Sequence, residues 1–496
     1  MTVAGVLDAA QRRRDLDALA GETVDVLVVG GGVTGCGVAL DAVTRGLSVA
    51  LLERYDLASG TSRWSSKLAH GGLRYLAKGD VGLARESARE RNILMRHTAP
   101  HLVRSLPMVV PVVASMSRGM AAFVNGGHHV AHLLGPGGLP RPRHLDAATT
   151  CALLPALDPA GIRGGYLNYD GQLEDDARLV VALARTAAAY GARIVTGARV
   201  AAVDGTGADV DADGAALRVR ARAVVNATGV WAGDLDPGVQ LRPSKGAHVV
   251  LPASALGSPS ASMTVAVPGE DNRFVFALPH PDGLVYVGLT DDPISGPVPD
   301  EPTASAEDER FLLATISAAL SRPLSHDDVI GSYAGLRPLL AGTEGRTADL
   351  SRRHDVRRSA HGAWSVVGGK LTTYRQMAED AVDATGLAAG PCRTRDLPLL
   401  GAENVPVPAG VPARLVRRYG AEAEQVAALA GDEPGLLEPV ADGVPVLGVE
   451  LAWGVVAEGA RTVDDLIARR TRLTLVDDWA AAARPRAEEI LASLTP

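Results

Sequence analysis

A glycine-rich turn near the N-terminus constrains the fold more than any other stretch. Residues 24–29 (VDVLVV) form a nearly continuous apolar run, which is typical of a buried parallel strand. Gly30–Gly35 (GGGVTG) follows at once, and Cys36–Arg45 then has helical spacing. A second apolar run, Ser48–Glu53, completes a strand–helix–strand unit of about 30 residues. The segment therefore predicts the first βαβ unit of an α/β domain.

Three glycines of this turn, Gly30, Gly32 and Gly35, together with an acid after the second strand, indicate a dinucleotide site. Gly30 permits the turn, Gly32 lets the backbone approach a pyrophosphate, and Gly35 lets the helix pack against the strand. The N-terminus of the helix offers N–H groups and a positive dipole to the phosphates. Glu53 is placed to accept hydrogen bonds from an adenosine ribose. The alternative is a tight strand–helix turn that holds no ligand.

Two distant strand ends bear on the choice between NAD and FAD, which the first motif leaves open. Arg222–Gly229 (RAVVNATG) is a predicted strand that ends in Ala-Thr-Gly. Gly368–Lys370 follows another predicted strand, Trp364–Val367. In FAD enzymes of the glutathione-reductase type, such segments return to the isoalloxazine ring and the ribityl chain. Each segment alone is also consistent with an ordinary strand–turn, but together they favour FAD.

Composition excludes several classes of protein. The chain has 496 residues, 47% of them hydrophobic, and a net charge of −8, which indicates a soluble globular protein without nucleic-acid partners. Cys36, Cys151 and Cys392 are far apart, so neither a disulfide framework nor a metal site is expected. The N-terminus lacks a signal-peptide core, and no apolar run reaches the ~18 residues of a membrane-spanning helix. We expect a cytoplasmic protein.

The rest of the chain alternates between helical and strand-like segments and shows no internal repeat. After a polar N-terminal extension and the βαβ unit, helical spacing occurs at 80–97, 174–190 and 371–385, and strand-like patterns occur at 106–113, 193–203, 217–225, 241–252, 273–289 and 327–336. A Pro/Gly-rich stretch at 388–412 precedes the almost wholly helical region 413–496. A small helical C-terminal domain is expected there.

A set of motifs, in order, identifies a family. The motifs are GGGVTGCG, TSRWSSKLAHGGLRYL, LEDDARL, VNATGVW, KGAHVVLP, YAGLRPL, GGKLTTYR and DDLIARRTRL. From about Val24 to about Leu473, the chain resembles the FAD-dependent glycerol-3-phosphate dehydrogenases of the D-amino-acid-oxidase-like superfamily. It departs from them at His280, Leu289 and Ala77, where that family usually has Trp, Thr and an acid.

The resemblance implies an α/β fold with interleaved domains. A Rossmann-like FAD-binding domain of the glutathione-reductase or D-amino-acid-oxidase type would alternate with an antiparallel-sheet substrate domain and precede a helical C-terminal domain. We expect the FAD-binding domain at 20–110, 166–240 and 341–388, the substrate domain at 111–165 and 241–340, a linker at 389–412 and the C-terminal domain at 413–496. Asp175, Asp176 and Arg178 are assigned to the start of a helix, and DDLIARRTRL to an ion-paired C-terminal helix.

The same resemblance assigns residues to a non-covalently bound FAD. Thr61, Ser62 and Ser66 would donate to the pyrophosphate and ribityl region. Leu68, His70, Gly72 and Leu73 would pass close to the flavin ring, although a histidine satisfied by backbone is an equal interpretation of His70. The other expected cofactor residues are Val200, Ala227, Thr228, Gly229, Gly369, Leu371 and Thr372.

Basic side chains from separate segments are expected to bind a phosphate. By resemblance, Arg74 and Tyr75 point into the substrate pocket, where Arg273 and Lys370 join them. Guanidinium groups suit phosphate oxygens, and a lysine supplies a point charge. The alternative for Arg74 is a surface ion pair with Asp80 or Glu86.

Two residues are expected to take part in the chemistry. His248 is the candidate base, because an unperturbed imidazole titrates near pH 6.5. The alternative is that His248 faces solvent or only orients a ring. Arg337 would stabilise the oxygen that develops negative charge at the reacting carbon.

By resemblance, the chain oxidises sn-glycerol 3-phosphate to dihydroxyacetone phosphate with FAD and passes electrons to a membrane quinone. Peripheral membrane contact is expected, and Ser115–Leu134 is the candidate docking helix, with a packed substrate-domain helix as its alternative. The resemblance is also compatible with a homodimer. The rival functions are an oxidase that uses oxygen, an amine or amino-acid oxidase of the same fold, and a flavin-bound sensor without turnover.

Overall fold

The structure of the chain is a computed structural model that describes residues 3–72, 75–76, 79–113, 116, 119, 126–130, 132–133, 135, 139–270, 273–341, 353–387, 390–403, 406, 409–431 and 433–495. Within these ranges the strands form two sheets, and the C-terminal part is helical. No helix in the described ranges is long and apolar enough to cross a membrane.

Strands β1 to β18 follow one another along the chain. Their bounds are β1 Thr23–Val29, β2 Val49–Leu52, β3 Leu68–Ala69, β4 Val103–Val113, β5 Arg143–Leu145, β6 Ile162–Leu173, β7 Arg193–Val195, β8 Ala198–Asp204, β9 Gly207–Ala212, β10 Ala215–Asn226, β11 Ser244–Pro252, β12 Ser262–Ala266, β13 Phe274–Pro279, β14 Leu284–Gly288, β15 Asp292–Pro293, β16 Gly331–Arg337, β17 His354–Arg358 and β18 Trp364–Gly368. The region predicted as strand-like at 273–289 is therefore a hairpin of β13 and β14.

The α-helices flank these strands and make up most of the C-terminal part. Their bounds are α1 Ala9–Gly21, α2 Val33–Thr44, α3 Val81–Ile93, α4 Ala147–Leu153, α5 Asp176–Ala189, α6 Ala232–Leu235, α7 Ala306–Ser317, α8 Tyr374–Thr385, α9 Ala413–Tyr419, α10 Ala423–Ala428, α11 Gly448–Val456 and α12 Asp477–Leu494. The long helices predicted at 80–97, 174–190 and 371–385 are confirmed as α3, α5 and α8.

The first sheet has the order β17-β18-β10-β1-β2-β7, with β8 and β9 attached through β10. Neighbouring strands from β18 to β7 are parallel. Apolar side chains cover both faces, and α2, α5 and α8 pack against one of them. This burial on two sides explains the continuous apolar runs of β1 and β2 and confirms the predicted βαβ unit.

The second sheet has the order β15-β11-β14-β13-β12-β4-β6-β3, with β16 joined to β11 and β5 to β6. Most of its pairs are antiparallel, but β12 and β4 are parallel. The expected antiparallel sheet is thus corrected to a mixed sheet. The strands β4 and β12 are far apart in sequence, so no hairpin turn forces them to run in opposite directions.

A sharp turn joins β1 to α2, as the sequence predicts. Gly30 has a φ of +110°, a conformation that favours glycine. A Cβ atom on Gly35 would lie 1.9 Å from the carbonyl oxygen of Gly30. Helix and strand can approach this closely only because Gly35 has no side chain.

The N-terminal extension contains a helix, α1, that the sequence analysis did not predict. Asp8 caps it by accepting a hydrogen bond from the backbone N–H of Gln11 at 2.6 Å. Arg12 attaches the helix to the first sheet by donating to the carbonyl oxygens of Thr196 and Gly197. Leu19 and Leu16 also pack against the apolar cluster of this sheet, but two leucines in a polar segment do not give the apolar stripe that signals an amphipathic helix.

The C-terminal helices enclose an apolar cluster of their own, which includes the buried Trp453. The motif DDLIARRTRL forms a buried π-helix at Asp465–Arg470. Arg469 and Arg470 donate to Asp56, which follows β2, at 2.7 and 2.8 Å. The predicted ion-paired helix is confirmed, and these pairs join the C-terminal helices to the first sheet.

Candidate active site

A cavity of about 1670 Å³ lies where the strand ends of the first sheet meet a face of the second sheet. Gly30 after β1, Glu53 after β2, Ala227 after β10 and Gly368 at the end of β18 all line it. Ligands of open α/β sheets bind outside the carboxyl ends of the strands. The volume exceeds the roughly 300–1,000 Å³ of a pocket for a drug-sized ligand, so a dinucleotide and a small substrate both have room.

The glycine-rich turn forms one end of the cavity. Gly30 and Gly32 line it, and Gly32 is the N-cap of α2 without a side-chain capping bond. Glu53 also lines this end, where it accepts hydrogen bonds from the backbone N–H groups of Gly31 at 2.7 Å and Tyr55 at 2.8 Å. Burial raises the pKa of Glu53, against the effect of these bonds. Glu53 shapes the turn, and its contact with a ribose stays a prediction.

The hydroxyl residues predicted to face FAD lie together on one wall. The Thr61 hydroxyl donates to the carbonyl oxygen of Leu336 at 2.8 Å, and the Ser62 hydroxyl accepts from the backbone N–H of Val33 at 2.9 Å. Ser66 is 2.9 Å from Nε2 of a buried histidine, His248. These bonds tie the wall to α2, β16 and β11.

The other predicted cofactor residues that the structure describes line the same cavity: Leu68, His70, Gly72, Val200, Ala227, Thr228, Gly229, Gly369, Leu371 and Thr372. Gly72, Gly229 and Gly369 have φ values of +79°, +62° and +72°, where glycine is favoured. Leu73 and Arg74 lie outside the described residues, so their assignments stay predictions. Gly35 is not among the lining residues, because its place is at the contact between helix and strand.

The structure brings the other predicted substrate residues to the cavity: Tyr75, Arg273, Arg337 and Lys370. The Lys370 Nζ donates to the Ser87 hydroxyl and lies 4.3 Å from the centre of the Tyr75 ring. Arg273 pairs with Glu270 at 2.8 Å, and Arg337 pairs with Asp291 at 3.3 Å. Three segments far apart in sequence thus supply cations to one cavity.

His248 is buried, which overturns the alternative that it faces solvent. Its side chain lines the cavity, only 1% of the residue is exposed, and its ring stacks on Tyr333 at 4.6 Å between centres. Burial, with the charges of Lys67 and Arg337, lowers the pKa of His248 well below its ordinary value. The imidazole is therefore neutral near pH 7.

Several lining residues were missed by the sequence analysis. Asn168 and Asp170 are two positions apart on β6, so they share a face of the sheet. Thr264 pairs with Phe276 across β12 and β13, and both line the cavity. Asp170 accepts a hydrogen bond from the Gly71 N–H at 2.9 Å and so holds the loop after β3. The alternation of side chains along these strands predicts which residues share a face of the sheet. It does not predict which face lines the cavity until the arrangement of the strands is known.

Two of the three departures from the family pattern, His280 and Leu289, lie in different places, and Ala77 lies outside the described residues. Leu289 lines the large cavity, where it follows β14. His280 is not among the lining residues, and its Nδ1 lies 3.1 Å from Asp282 near a small second cavity. Of the two, only Leu289 is therefore placed to contact a ligand directly.

The residues present fit FAD. A helix N-terminus and close-approaching glycines meet the requirements of a pyrophosphate. Trp64 Nε1 and Asn168 Oδ1, which belong to lining residues, are buried and have no hydrogen-bond partner among the described residues. A ligand with polar groups is needed to satisfy them. In the described ranges, no cluster of three or more His, Cys, Asp or Glu side chains is placed to hold a metal ion.

Comparison with known families gives two matches. Residues 25–375 match the model of the FAD dependent oxidoreductases, and residues 392–495 match that of the C-terminal domain of alpha-glycerophosphate oxidase. Glycerol-3-phosphate dehydrogenase 1 of Mycobacterium tuberculosis is 52% identical over 96% of either chain. The chain belongs to the FAD-dependent glycerol-3-phosphate dehydrogenase family. Its cofactor is FAD.

More distant proteins are also similar to this chain, one in sequence and two in structure. The probable mitochondrial glycerol-3-phosphate dehydrogenase of Dictyostelium discoideum is 33% identical over 95% of this chain and 81% of its own length. The FAD complex of the Bacillus halodurans glycerol-3-phosphate dehydrogenase superposes with a TM-score of 0.76 at 29% identity, covering 98% of this chain and 94% of that one. The L-alpha-glycerophosphate oxidase of Mycoplasma pneumoniae has a TM-score of 0.59 at 21% identity, covering 76% and 99%, and shows the fold alone.

The low pKa of His248 predicts a pH-dependent contribution to stability. The imidazole of His248 has a pKa of about 6.5 in the unfolded chain and a lower pKa in the folded protein. As the pH falls below about 6.5, the unfolded chain binds a proton at this imidazole and the folded protein does not, so the folded state loses stability. Asparagine does not titrate, so His248→Asn lacks this pH dependence. The Tm of the wild-type protein minus the Tm of His248→Asn should therefore be about 2 °C smaller at pH 5.5 than at pH 7.5. Differential scanning fluorimetry measures it, with His361→Asn at an exposed site as control. An unchanged difference would mean that His248 titrates normally in the fold.

Proposed function

We propose that this protein oxidises sn-glycerol 3-phosphate at C2 to dihydroxyacetone phosphate. The observation that carries the proposal is the convergence of Arg273, Arg337 and Lys370 on one cavity beside the neutral His248. Acidic side chains also line this cavity, but the three cations offer a small anionic substrate groups with which to pair. The names of the relatives with 52% and 39% identity support the same substrate.

FAD, when bound, supplies the acceptor for the hydride that leaves C2. The turn at Gly30–Gly35 and the wall at Thr61–Ser66 would hold it without a covalent bond, so acid denaturation should release it. Lys370 and Arg273, with Arg74 by resemblance, would bind the phosphate and fix the orientation of the carbon chain. The protein's task is thus to bind and orient the substrate and to remove its hydroxyl proton.

His248 is proposed to take the proton from the C2 hydroxyl. Its imidazole is neutral, as a base must be before it takes a proton, and Ser66 at 2.9 Å from Nε2 fixes the orientation of the ring. Arg337 would stabilise the negative charge that develops on the same oxygen. The hydrogen bonds of Arg337 to the Ser244 hydroxyl and the Thr290 carbonyl oxygen, at 2.9 and 3.0 Å, hold its guanidinium in place.

The electrons are proposed to pass to a membrane quinone, with the enzyme in the cytoplasm at the membrane surface. Much of the candidate docking segment, 115–134, lies outside the described residues. Of its described part, His128 and Val130 line the cavity, and Val130 and Leu133 are 49% and 75% exposed. Exposed apolar side chains beside the cavity support a membrane contact close to the flavin.

Turnover with two acceptors tests the function. Purified holoenzyme with glycerol 3-phosphate should reduce a soluble quinone analogue and form dihydroxyacetone phosphate in equal amounts. In air-saturated buffer without quinone, peroxide should form at no more than a few per cent of that rate. Peroxide formed at a comparable rate would assign the protein to the rival oxidase, and absence of the ketone product with either acceptor would refute the substrate.

The base role predicts a selective kinetic defect. His248→Asn should slow flavin reduction by about 10²–10⁴-fold, the usual contribution of a general base, while substrate binding changes little. Anaerobic stopped-flow absorbance at saturating substrate isolates this step from reoxidation. A loss below about threefold would remove His248 from the role.

The phosphate role of Lys370 predicts discrimination between substrates. Lys370→Met should lower kcat/KM for glycerol 3-phosphate by roughly 10- to 150-fold, the value of a hydrogen bond to a charged group. The already slow reaction with unphosphorylated glycerol should hardly change, and Arg89→Met, at a half-exposed arginine that does not line the cavity, should affect neither. Equal losses with both substrates would place Lys370 at the reacting carbon instead.

A further inference from the structure

The cavity wall formed by residues 61–67 is held from behind by an arginine of the C-terminal part. Arg472 donates from Nη2 to the carbonyl oxygen of Arg63 and from Nη1 to that of Ala468 at 3.0 Å. Its guanidinium lies 5.1 Å from the centre of the Trp64 ring. Trp64 lines the cavity, so Arg472 contacts the wall from the side opposite the ligand space.

A continuous stack of rings leads from this arginine to the candidate base. Trp64 stacks on Tyr333 with 5.9 Å between ring centres, and Tyr333 stacks on His248 at 4.6 Å and 9° between planes. The Tyr333 hydroxyl donates to the carbonyl oxygen of Ser65 at 3.1 Å. Because each ring packs against the next, a shift of Trp64 is transmitted to His248.

A buried cluster of charges fixes the same wall. Lys67 Nζ lies 3.1 Å from Asp176, and Arg472 Nε lies 3.8 Å from both Asp175 and Asp176. Arg418, also from the C-terminal part, pairs with Asp175 at 2.9 Å. All five residues are buried, so removing one cation weakens the charge balance of a carboxylate in a place that water does not reach.

Lys67 and Arg472 share an unfavourable backbone conformation, which indicates that their side chains are needed at these positions. Lys67 has a φ of +55° and Arg472 a φ of +63°, and this left-handed conformation disfavours residues with a Cβ. Glycine would adopt it without strain. A lysine and an arginine at these two positions are consistent with a demand for their charges and hydrogen bonds.

We propose that Arg472 is a positioning residue through which the C-terminal part completes the FAD site. It holds the wall at 61–67 and the Trp64–Tyr333–His248 stack in the arrangement that binds the flavin. The effect on FAD binding is independent of the substrate proposed above, whereas the effect on His248 depends on the proposed function.

The test compares two variants at Arg472 with a matched control. Arg472→Gly removes the side chain and places a glycine where the backbone has a positive φ, so it adds no backbone strain. Arg472→Lys keeps the positive charge but loses the planar guanidinium group and its two directed hydrogen bonds. Arg461→Gln is the control, because Arg461 of the C-terminal part also pairs with the first sheet, through Asp213 at 2.9 Å, but away from the cavity. FAD release from holoenzyme, followed by the rise in flavin fluorescence without any substrate, is the first readout.

We expect release to be at least about tenfold faster in Arg472→Gly, intermediate in Arg472→Lys and unchanged in the control. At full FAD occupancy, the visible circular dichroism of the flavin should change in Arg472→Gly, which a loss of stability alone would not cause. Anaerobic reduction of that occupied flavin by glycerol 3-phosphate should also slow.

A wild-type release rate and flavin spectrum in Arg472→Gly would overturn the proposal, as would an equal loss in Arg461→Gln. If Arg472→Gly gives no folded protein, Arg472→Gln carries the test with the same outcomes. Faster FAD release in Arg472→Gly, together with a wild-type holoenzyme that fails to oxidise glycerol 3-phosphate, would support the positioning role while refuting the proposed function.

Discussion

Buried ion pairs join the three parts of the chain around the cavity, and the remaining structure depends on them. Asp56, after β2, lies between Arg469 and Arg470 of the C-terminal π-helix, and their charges outweigh burial and lower the pKa of Asp56. At the start of α5, Asp176 pairs with Lys67, which precedes β3, and Asp175 pairs with Arg418 of the C-terminal part. A buried pair adds little net stability, but breaking one costs about 3–5 kcal/mol. The parts therefore assemble in one arrangement, and that arrangement creates the cavity.

The same charges set the chemistry available inside. Burial lowers the pKa of Lys67 to about 8, so its ammonium remains largely charged at neutral pH beside the Tyr333 ring. Burial, together with the charges of Lys67 and Arg337, lowers the pKa of His248 and keeps it in the neutral form that a base requires. An anionic substrate entering this cavity meets cations that are already fixed by Glu270, Asp291 and Ser87, so binding needs little reorganisation.

Local signals made the first half of the site predictable from sequence. The turn at Gly30–Gly35 requires glycine for steric reasons that act within a few residues, so its pattern indicates both the strand–helix unit and the cavity end. The family motifs then placed Lys370 and Arg337 on segments that the structure brings to the cavity. The mixed second sheet was not predictable, because the parallel pairing of β4 with β12 joins distant segments.

The burial of His248 and the function of Arg472 depend on tertiary contacts without a local pattern. From the alternating pattern of its strand, the side chain of His248 could lie on either face of the sheet. The pairing of His248 with Gly288 and Tyr333 on the neighbouring strands shows which face it occupies. DDLIARRTRL indicated ion pairs, but their partners, Asp56 and Asp175, are hundreds of residues away. The helix α1 was missed because Arg12, Leu16 and Leu19 attach it to the sheet, and two leucines give no clear apolar stripe in the sequence.

The central claim is that Arg273, Arg337 and Lys370, in the cavity assigned to FAD, select a phosphorylated polyol for oxidation. The most direct measurement is the flavin absorbance band of the holoenzyme under anaerobic conditions, with no external electron acceptor. Glycerol 3-phosphate should bleach the band at one equivalent per flavin, while glycerol, glycine and D-alanine leave it nearly unchanged on the same time scale. Bleaching by the amino acids, or an unchanged band with glycerol 3-phosphate, would contradict the account.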